Sequence, residues 1–175
     1  MISTETSIRK AMASEAERLA DLAFRAWEQD LRPFLYGEQA NGPAERRRLG
    51  RAVHELLDRT IVADIAGEPA GWCARARGRA YIPYLFVVPE LQNQGIGTLL
   101  LRRMESLMEL EGAARVQLDT LSDNVRAVTF YQRQGYRILA LKHEGPPGRD
   151  PQTSVRLEKQ LSPYSGPVTD IEEQE

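Results

Sequence analysis

Cysteine and histidine are scarce in this chain of 175 residues. The single cysteine, Cys73, cannot form an internal disulfide, and burial among apolar side chains is its expected role. The two histidines, His54 and His143, are distant in the sequence and lack metal-ligating company, so a zinc site is not expected. Neither a disulfide framework nor a metal is therefore predicted to organise the fold or the function.

Long apolar runs are also missing. The longest nearly apolar run, "YIPYLFVV" at 81–88, is too short to span a bilayer, so no membrane partner is predicted. The N-terminal stretch "MISTETSIRKAMASEAERLAD" lacks the apolar core of a signal peptide, which makes the cytoplasm the expected location. A hydrophobic content of 42% and a charged content of 27% are typical of a soluble globular protein.

Charge is nearly balanced, with a net value of −2, but it is unevenly distributed. Residues 162–175 contain no Lys or Arg and carry −4, which leaves −2 + 4 = +2 for the rest. A nearly neutral body gives little reason to expect a nucleic-acid partner. We predict a single domain over 1–161 and, because it has little apolar material, a disordered acidic tail over 162–175. The acidic residues of this tail are Asp170, Glu172, Glu173 and Glu175.

Apolar periodicity predicts strands interleaved with helices. Ser14 followed by Glu17 resembles a capping box for a first helix, Pro43 begins a second, and Asn124 caps a fourth. A third helix is predicted over 98–109. The predicted strands cover 7–11, 61–65, 71–76, 81–88, 114–121, 136–142 and 154–161. This alternation predicts an α/β layer structure with a mixed sheet.

The stretch "LFVVPELQNQGIGTLLLRR" at 85–103 places two glycines, Gly95 and Gly97, where a strand becomes a helix. Backbone N–H groups and the helix dipole make a helix N-terminus a site for phosphate. A P-loop needs a lysine after its last glycine, and Thr98 stands there instead. A dinucleotide fingerprint needs a third glycine where the chain has Leu100. Both of these phosphate sites are excluded.

The spacing of Gln92, Gly95 and Gly97 after an apolar strand resembles the pyrophosphate-binding signature of the GNAT acyltransferase superfamily, which uses acyl-coenzyme A. The stretch "SDNVRAVTFYQRQGYRI" is similar to the family's second signature. The matching positions there are Asn124, Ala127, Phe130, Tyr131, Gly135 and Tyr136. The resemblance extends over residues 60–161 and more loosely to the N-terminal elements. It implies a three-layer α/β fold whose central mixed, mostly antiparallel sheet splays between its fourth and fifth strands.

The same resemblance implies roles for individual residues. The strand at 86–88 pairs its backbone with the pantetheine arm, the amides of 94–99 hold the pyrophosphate, and Gln92 supports the turn. Asn124 and Tyr131 lie near the arm and the thioester. No metal is implied. The implied cofactor-binding residues are Phe86, Val87, Val88, Gln92, Gln94, Gly95, Ile96, Gly97, Thr98, Leu99, Asn124 and Tyr131.

Tyr131 is the predicted catalytic acid, because a phenol of pKa about 10 can protonate a thiolate whose thiol has a pKa of about 8.5. The backbone amide of Val88 or its neighbour is expected to polarise the thioester carbonyl. The acidic residue common before the family's motif is absent from "RAYIPYLF", which leaves Asp119, Asp64 or water as the general base. The aromatic residues Trp27, Phe34 and Tyr36 either line the acceptor groove or pack in the interior.

The predicted function is transfer of an acetyl group from acetyl-CoA to a primary amine of a small molecule or peptide. One alternative is a coenzyme A-binding GNAT-like sensor or scaffold without turnover. Another is a protein-interaction subunit that acts through the acidic tail. The sequence leaves a homodimer open, and it does not identify the acceptor.

Overall fold

A computed structural model describes residues 5–144 and 152–162 of the chain. The predicted order of helices and strands is confirmed over these residues, whereas residues 163–175 of the predicted tail and residues 145–151 lie outside them. The elements are β1 (Thr6–Lys10), α1 (Ala16–Asp30), α2 (Gly42–Glu55), β2 (Thr60–Ile65), β3 (Glu68–Ala74), β4 (Tyr84–Val87), α3 (Ile96–Leu110), β5 (Arg115–Leu121), α4 (Val125–Arg133), β6 (Arg137–Glu144) and β7 (Gln152–Gln160).

The strands form two antiparallel sheets, in the orders β1-β2-β3-β4 and β5-β7-β6. A parallel bridge between Tyr81 and Gln117 joins them just before β4 begins. There Ile82 N–H donates to the Gln117 carbonyl, and Gln117 N–H donates to the Ala80 carbonyl, both at 3.0 Å. Beyond this bridge β4 and β5 separate, so the expected splay between the fourth and fifth strands is confirmed.

Two apolar clusters cover opposite faces of the first sheet. The first lies beneath α1 and α2, where the buried Trp72 also donates from its indole Nε1 to the Leu19 carbonyl at 2.9 Å. The second lies beneath α3 and extends under the second sheet, which gives the three-layer α/β arrangement. Its fully buried members include Leu100, Leu101, Met104, Leu118 and Leu157.

Two local predictions need correction. The capping box precedes α1 at Met12 and Glu15 rather than at Ser14 and Glu17, because the Glu15 carboxylate accepts from Met12 N–H at 3.3 Å. The nearly apolar composition of the run at 81–88 predicts the most buried strand of the chain. Its regular part, β4, is instead half-buried throughout, because all four of its residues line a cavity.

Candidate active site

A cavity of about 880 Å³ opens where β4 and β5 separate. Its walls come from β4, the turn into α3, the end of β5, α4 and the end of α1. Nine of the predicted site residues line it, and Val88, Gln94 and Leu99 do not. The nine are Phe86, Val87, Gln92, Gly95, Ile96, Gly97, Thr98, Asn124 and Tyr131.

The turn into α3 depends on a left-handed glycine. Gly95 is the N-cap of α3 with φ +86°, a conformation that side chains disfavour, and a Cβ built there meets nothing within 4 Å. The first four N–H groups of a helix have no acceptor within it, and here these belong to residues 95–98. Leu99 N–H donates to the Gly95 carbonyl at 3.0 Å. The expectation that the Leu99 amide holds an anion is therefore wrong, because the helix uses it.

Gly97 lies where α3 contacts α4 and β4, and it also lines the cavity. A Cβ at this position would lie 3.5 Å from Phe130 Cζ and 3.8 Å from Val87 Cγ2. A methyl group there would therefore make only ordinary van der Waals contacts. The role of Gly97 in cofactor binding stays a prediction.

Gln92 connects three elements at the mouth of the cavity. Its Nε2 donates to the Val87 carbonyl at 3.1 Å and to Asp30 Oδ2 at 2.7 Å. Its Oε1 accepts from Arg126 Nη2 at 3.2 Å, and Arg126 Nη2 also donates to Asn93 Oδ1 at 3.0 Å. These bonds hold the turn against α1, β4 and α4, which is the supporting geometry expected of Gln92. Sequence reasoning missed Arg126, although this cation follows the helix cap Asn124 by only two residues.

The backbone of β4 presents Val87, not Val88, to the cavity. Val88 N–H donates to the Ala70 carbonyl at 2.8 Å and so belongs to the pairing with β3. Successive residues of an antiparallel strand direct their peptide groups to opposite edges. The Val87 peptide groups therefore face away from β3, and its carbonyl is held by Gln92. Of the two amides considered for polarising a carbonyl, the Val88 amide is excluded.

Tyr131 is half-buried and borders the cavity from α4. Its ring contacts those of Phe130 and Tyr136 edge to face, with centroid distances of 5.1 and 5.7 Å. No hydrogen bond within residues 5–144 and 152–162 involves its hydroxyl. Burial, reinforced by Cys73 and Tyr81 nearby, raises the pKa of Tyr131 above its usual value. The hydroxyl is therefore protonated at neutral pH and can donate, although it releases its proton less readily than a free phenol.

Asn124 begins α4 and also borders the cavity. Its Oδ1 accepts from Ala127 N–H at 3.2 Å, which confirms the predicted cap. The residue is 8% exposed, and it lines the same wall as Tyr131. The geometry therefore combines a helix cap with a place at the candidate site, the two roles that the sequence left open.

The two candidate carboxylate bases differ in position. Asp119 borders the cavity and accepts from Arg156 Nε and Nη2, both at 2.8 Å, and from the Tyr81 hydroxyl at 3.1 Å. Partial burial favours its protonated form, but the hydrogen bonds and charge of Arg156 hold the pKa of Asp119 below its usual value, which makes it a weak base. Asp64 lies on β2 outside the cavity, where it accepts from Arg9 and from Gly67 N–H, and is excluded.

The three aromatic residues considered for the acceptor groove lie in three different places. Trp27 is 3% exposed and stacks on Phe24 at 5.7 Å, so it packs in the interior. Phe34 lines the cavity, and its carbonyl accepts from Gln152 Nε2 at 2.9 Å. Tyr36 is exposed and borders a second cavity of about 110 Å³ that Phe34 also lines. The wall near Phe34 also includes Asp30, Leu31 and Tyr84, and of these sequence reasoning missed Tyr84.

Neither a metal site nor a membrane span is found in the part of the chain that the structure describes. No group of three or more His, Cys, Asp or Glu residues in 5–144 and 152–162 is placed to hold a metal ion. Among the helices of the same residues, none combines the length and apolarity needed to cross a membrane.

Comparison with known proteins decides the family. The sequence model of the acetyltransferase (GNAT) family matches residues 16–136, well over half of the chain. The chain belongs to the GNAT acetyltransferase family. Its matched region begins in α1 and ends at Tyr136, so it includes the cavity walls formed by β4, the glycine turn, β5 and α4.

Solved structures share the GNAT fold at low sequence identity. A GCN5-related N-acetyltransferase from Rhodopseudomonas palustris superposes with a TM-score of 0.72 at 22% identity, covering 92% of this chain and 99% of the other. YncA, a putative acetyltransferase from Salmonella typhimurium with its cofactor acetyl-CoA, has a TM-score of 0.67 at 16% identity, covering 94% and 99%. Bacillus subtilis YdhI, an uncharacterised protein, is 41% identical over 51 residues, which is 29% of this chain and only 32% of YdhI.

Proposed function

We propose that this GNAT protein transfers an acetyl group from acetyl-CoA directly to a primary amine of a small molecule or peptide. One observation carries the proposal: a single cavity joins the N-terminal amides of α3 to the Tyr131 hydroxyl between the separated strands. Family membership supports acyl transfer in general. The YncA structure with acetyl-CoA supports this donor for a protein of the same fold.

The cavity offers matching groups along its length. The amides of residues 95–98 would hold the pyrophosphate, because partial positive charge gathers at a helix N-terminus. The pantetheine arm would follow the cavity edge of β4, where Val87 presents its peptide groups. The thioester would then lie near Tyr131, and the acceptor would enter past Phe34 and Tyr84.

In the proposed reaction, the lone pair of the neutral amine attacks the thioester carbonyl carbon, and Val87 N–H donates to the carbonyl oxygen as negative charge develops. The intermediate collapses by breaking the carbon–sulfur bond, and Tyr131 gives its proton to the departing thiolate. The nitrogen loses its extra proton to water, and Tyr131 regains a proton from solvent. Water takes this role because Asp119 is engaged by Arg156. Positioning of the two substrates supplies much of the rate.

The second candidate function is a coenzyme A-binding sensor without turnover. It is favoured by the same engagement of Asp119, because both described carboxylates that line the cavity, Asp30 and Asp119, accept hydrogen bonds from other side chains. A screen of amine classes with detection of released thiol separates the two functions. Thiol release that depends on an added amine supports the enzyme, whereas tight binding without release to any amine class supports the sensor. The cytoplasmic location and a homodimer stay predictions.

Thr98 offers a direct test of the anion site. Its N–H is among the free amides, its side chain borders the cavity, and its hydroxyl accepts from Gln134 Nε2 at 3.2 Å. Thr98→Glu places a carboxylate in the first turn, which suits the helix dipole but repels pyrophosphate. Thr98→Gln is the neutral control of nearly the same shape.

We expect calorimetry to show that Thr98→Glu binds acetyl-CoA at least about tenfold more weakly than wild type, whereas Thr98→Gln stays within about threefold of wild type. The reason is that repulsion between the new carboxylate and the pyrophosphate should exceed about 1.4 kcal/mol at this distance. The melting temperature of the unliganded Glu variant should equal or exceed that of the Gln variant. Equal affinity of the two variants for acetyl-CoA would show that the pyrophosphate does not bind at the N-terminus of α3.

A further inference from the structure

The face of the second sheet that points away from the apolar core is lined by charged side chains. Alternate residues of β5 and β7, including Val116, Leu118, Val155 and Leu157, point into the core, so their neighbours point to the opposite face. We call this opposite face, with one adjoining loop arginine, the basic face. Gln117 lies among its charged residues, which are Arg79, Arg115, Asp119, Arg137, Lys142, Glu144, Arg156 and Glu158.

One carboxylate of the basic face, Glu158, lies beneath two of its cations. The Glu158 side chain is only 4% exposed and accepts from Gln117 Nε2 at 2.7 Å. Arg115 and Arg137 approach it at 3.9 and 3.6 Å, yet their own side chains are 65% and 70% exposed. Solvent therefore meets guanidinium groups on this face. Five cations against three carboxylates, Asp119, Glu144 and Glu158, give this set of residues a formal excess of +2.

The basic face is continuous with the wall of the candidate active site. Asp119 lines the cavity and is held from the basic face by Arg156 at 2.8 Å and by Lys142 at 3.4 Å. The guanidinium of Arg79 stacks over Tyr81, whose hydroxyl donates to the same Asp119. A molecule leaving the cavity along β5 therefore passes over exposed cations.

We propose that the basic face binds acidic residues of a peptide acceptor whose amine occupies the cavity. This inference rests on the proposed function and names its substrate class. The path from Asp119 to Arg115 along β5 is four residues, about 13 Å, which matches about four residues of an extended peptide. Carboxylates complement the exposed guanidinium groups, whereas a polyamine meets repulsion there.

Three peptides of one length test the proposal: Ala-Glu-Glu-Glu, the isosteric Ala-Gln-Gln-Gln, and Ala-Arg-Arg-Arg. The full-length protein saturated with coenzyme A is titrated with each peptide carrying a C-terminal fluorophore, and the binding constant is measured by anisotropy. The value of kcat/KM for the unlabelled peptides is measured separately from thiol release. The test variant is Arg115→Gln with Arg137→Gln. The matched control is Arg102→Gln with Arg103→Gln, two exposed arginines on α3 outside the basic face.

We expect wild type to bind the Glu peptide about fourfold more tightly than the Gln peptide, because two exposed ion pairs each contribute a factor of about two. The preference should fall below about twofold in the Arg115/Arg137 variant, remain in the control, and decline with added salt. Equal binding of the Glu and Gln peptides by wild type, or an equal loss in the control, overturns the inference. Preferential binding that appears only after Asp170, Glu172, Glu173 and Glu175 are replaced by amides also overturns it, since those residues would then occupy the face.

Failure of the proposed function has a different signature. If all three peptides are acetylated with equal kcat/KM, acetyl transfer stands and the inference fails. If the Glu peptide binds preferentially but no added amine causes release of thiol from acetyl-CoA, peptide binding by the basic face is supported and the proposed acetyl transfer is refuted.

Discussion

Tyr131 and Tyr136 make a matched pair in which the same substitution should have different effects. Both are tyrosines at the α4 end of the site, and their rings touch at 5.7 Å. The Tyr131 side chain borders the cavity, whereas the Tyr136 hydroxyl is buried and donates to Glu105 Oε1 at 2.8 Å. Replacing either one by Phe removes only an oxygen and keeps the ring packing. Tyr131→Phe should therefore cost activity, and Tyr136→Phe should cost stability.

The expected magnitudes follow from these surroundings. A positioned general acid contributes about 10²–10⁴ in rate, so Tyr131→Phe should lower kcat by that factor and change acetyl-CoA affinity only a few-fold. Its free energy of unfolding should change by less than about 0.5 kcal/mol. Tyr136→Phe removes a hydrogen bond to a buried carboxylate that keeps its ion pair with Lys159 at 2.8 Å. Loss of one such bond costs about 1–3 kcal/mol, or roughly 3–9 °C in melting temperature.

The assay needs an acceptor from the amine screen, with kcat from thiol release, acetyl-CoA affinity from calorimetry and stability from urea unfolding. Affinity is measured separately because KM mixes binding and turnover. Unchanged kcat in Tyr131→Phe would refute the acid role and assign that proton to water. If binding and turnover fall together, Tyr131 positions the cofactor instead. A large stability loss in Tyr131→Phe would show that the hydroxyl has a structural partner.

Two further predictions concern packing and pH. Gly97→Ala should be tolerated, because its Cβ would lie at an ordinary 3.5 Å from Phe130. The extra methyl groups of Gly97→Val should overpack that contact and lower the free energy of unfolding in urea by about 1–3 kcal/mol. Equal stability of the two variants would contradict this packing. Burial, with nearby Asp119, raises the pKa of Tyr81 to about 12, and burial also raises the pKa of Tyr131 and Tyr136. These tyrosines ionise at lower pH in the unfolded chain than in the folded protein. The free energy of unfolding should therefore keep their full contribution below about pH 10 and decline above that pH. A pH titration of tyrosinate absorbance checks this by comparing the folded protein with the protein in denaturant. In denaturant all six tyrosines should ionise together near pH 10.

Local chemistry explains which parts of the candidate site could be predicted from the sequence. The helix that follows Gly95 and the cap at Asn124 depend on residues within one turn of the chain, so spacing alone predicts them. The apolar periods of the strands and helices likewise reflect local geometry, which is why the order of elements and the fold class are confirmed. The capping box before α1 was misplaced because two overlapping Ser/Glu and Met/Glu spacings compete there.

Only the tertiary structure decided what each predicted residue contacts. Val88 is excluded as a carbonyl-polarising group by Ala70 on a neighbouring strand, and Asp119 is weakened as a base by Arg156 on β7. Gly97 packs on Phe130, which no local pattern indicates. The sequence by itself determined the elements and their order, because these depend on backbone hydrogen bonds and turns close in the chain. It also indicated nine of the residues that border the cavity, but not the full set. The protonation of Asp119 and the pairing of the Val88 amide depend on partners brought from distant strands, and folding alone sets those distances.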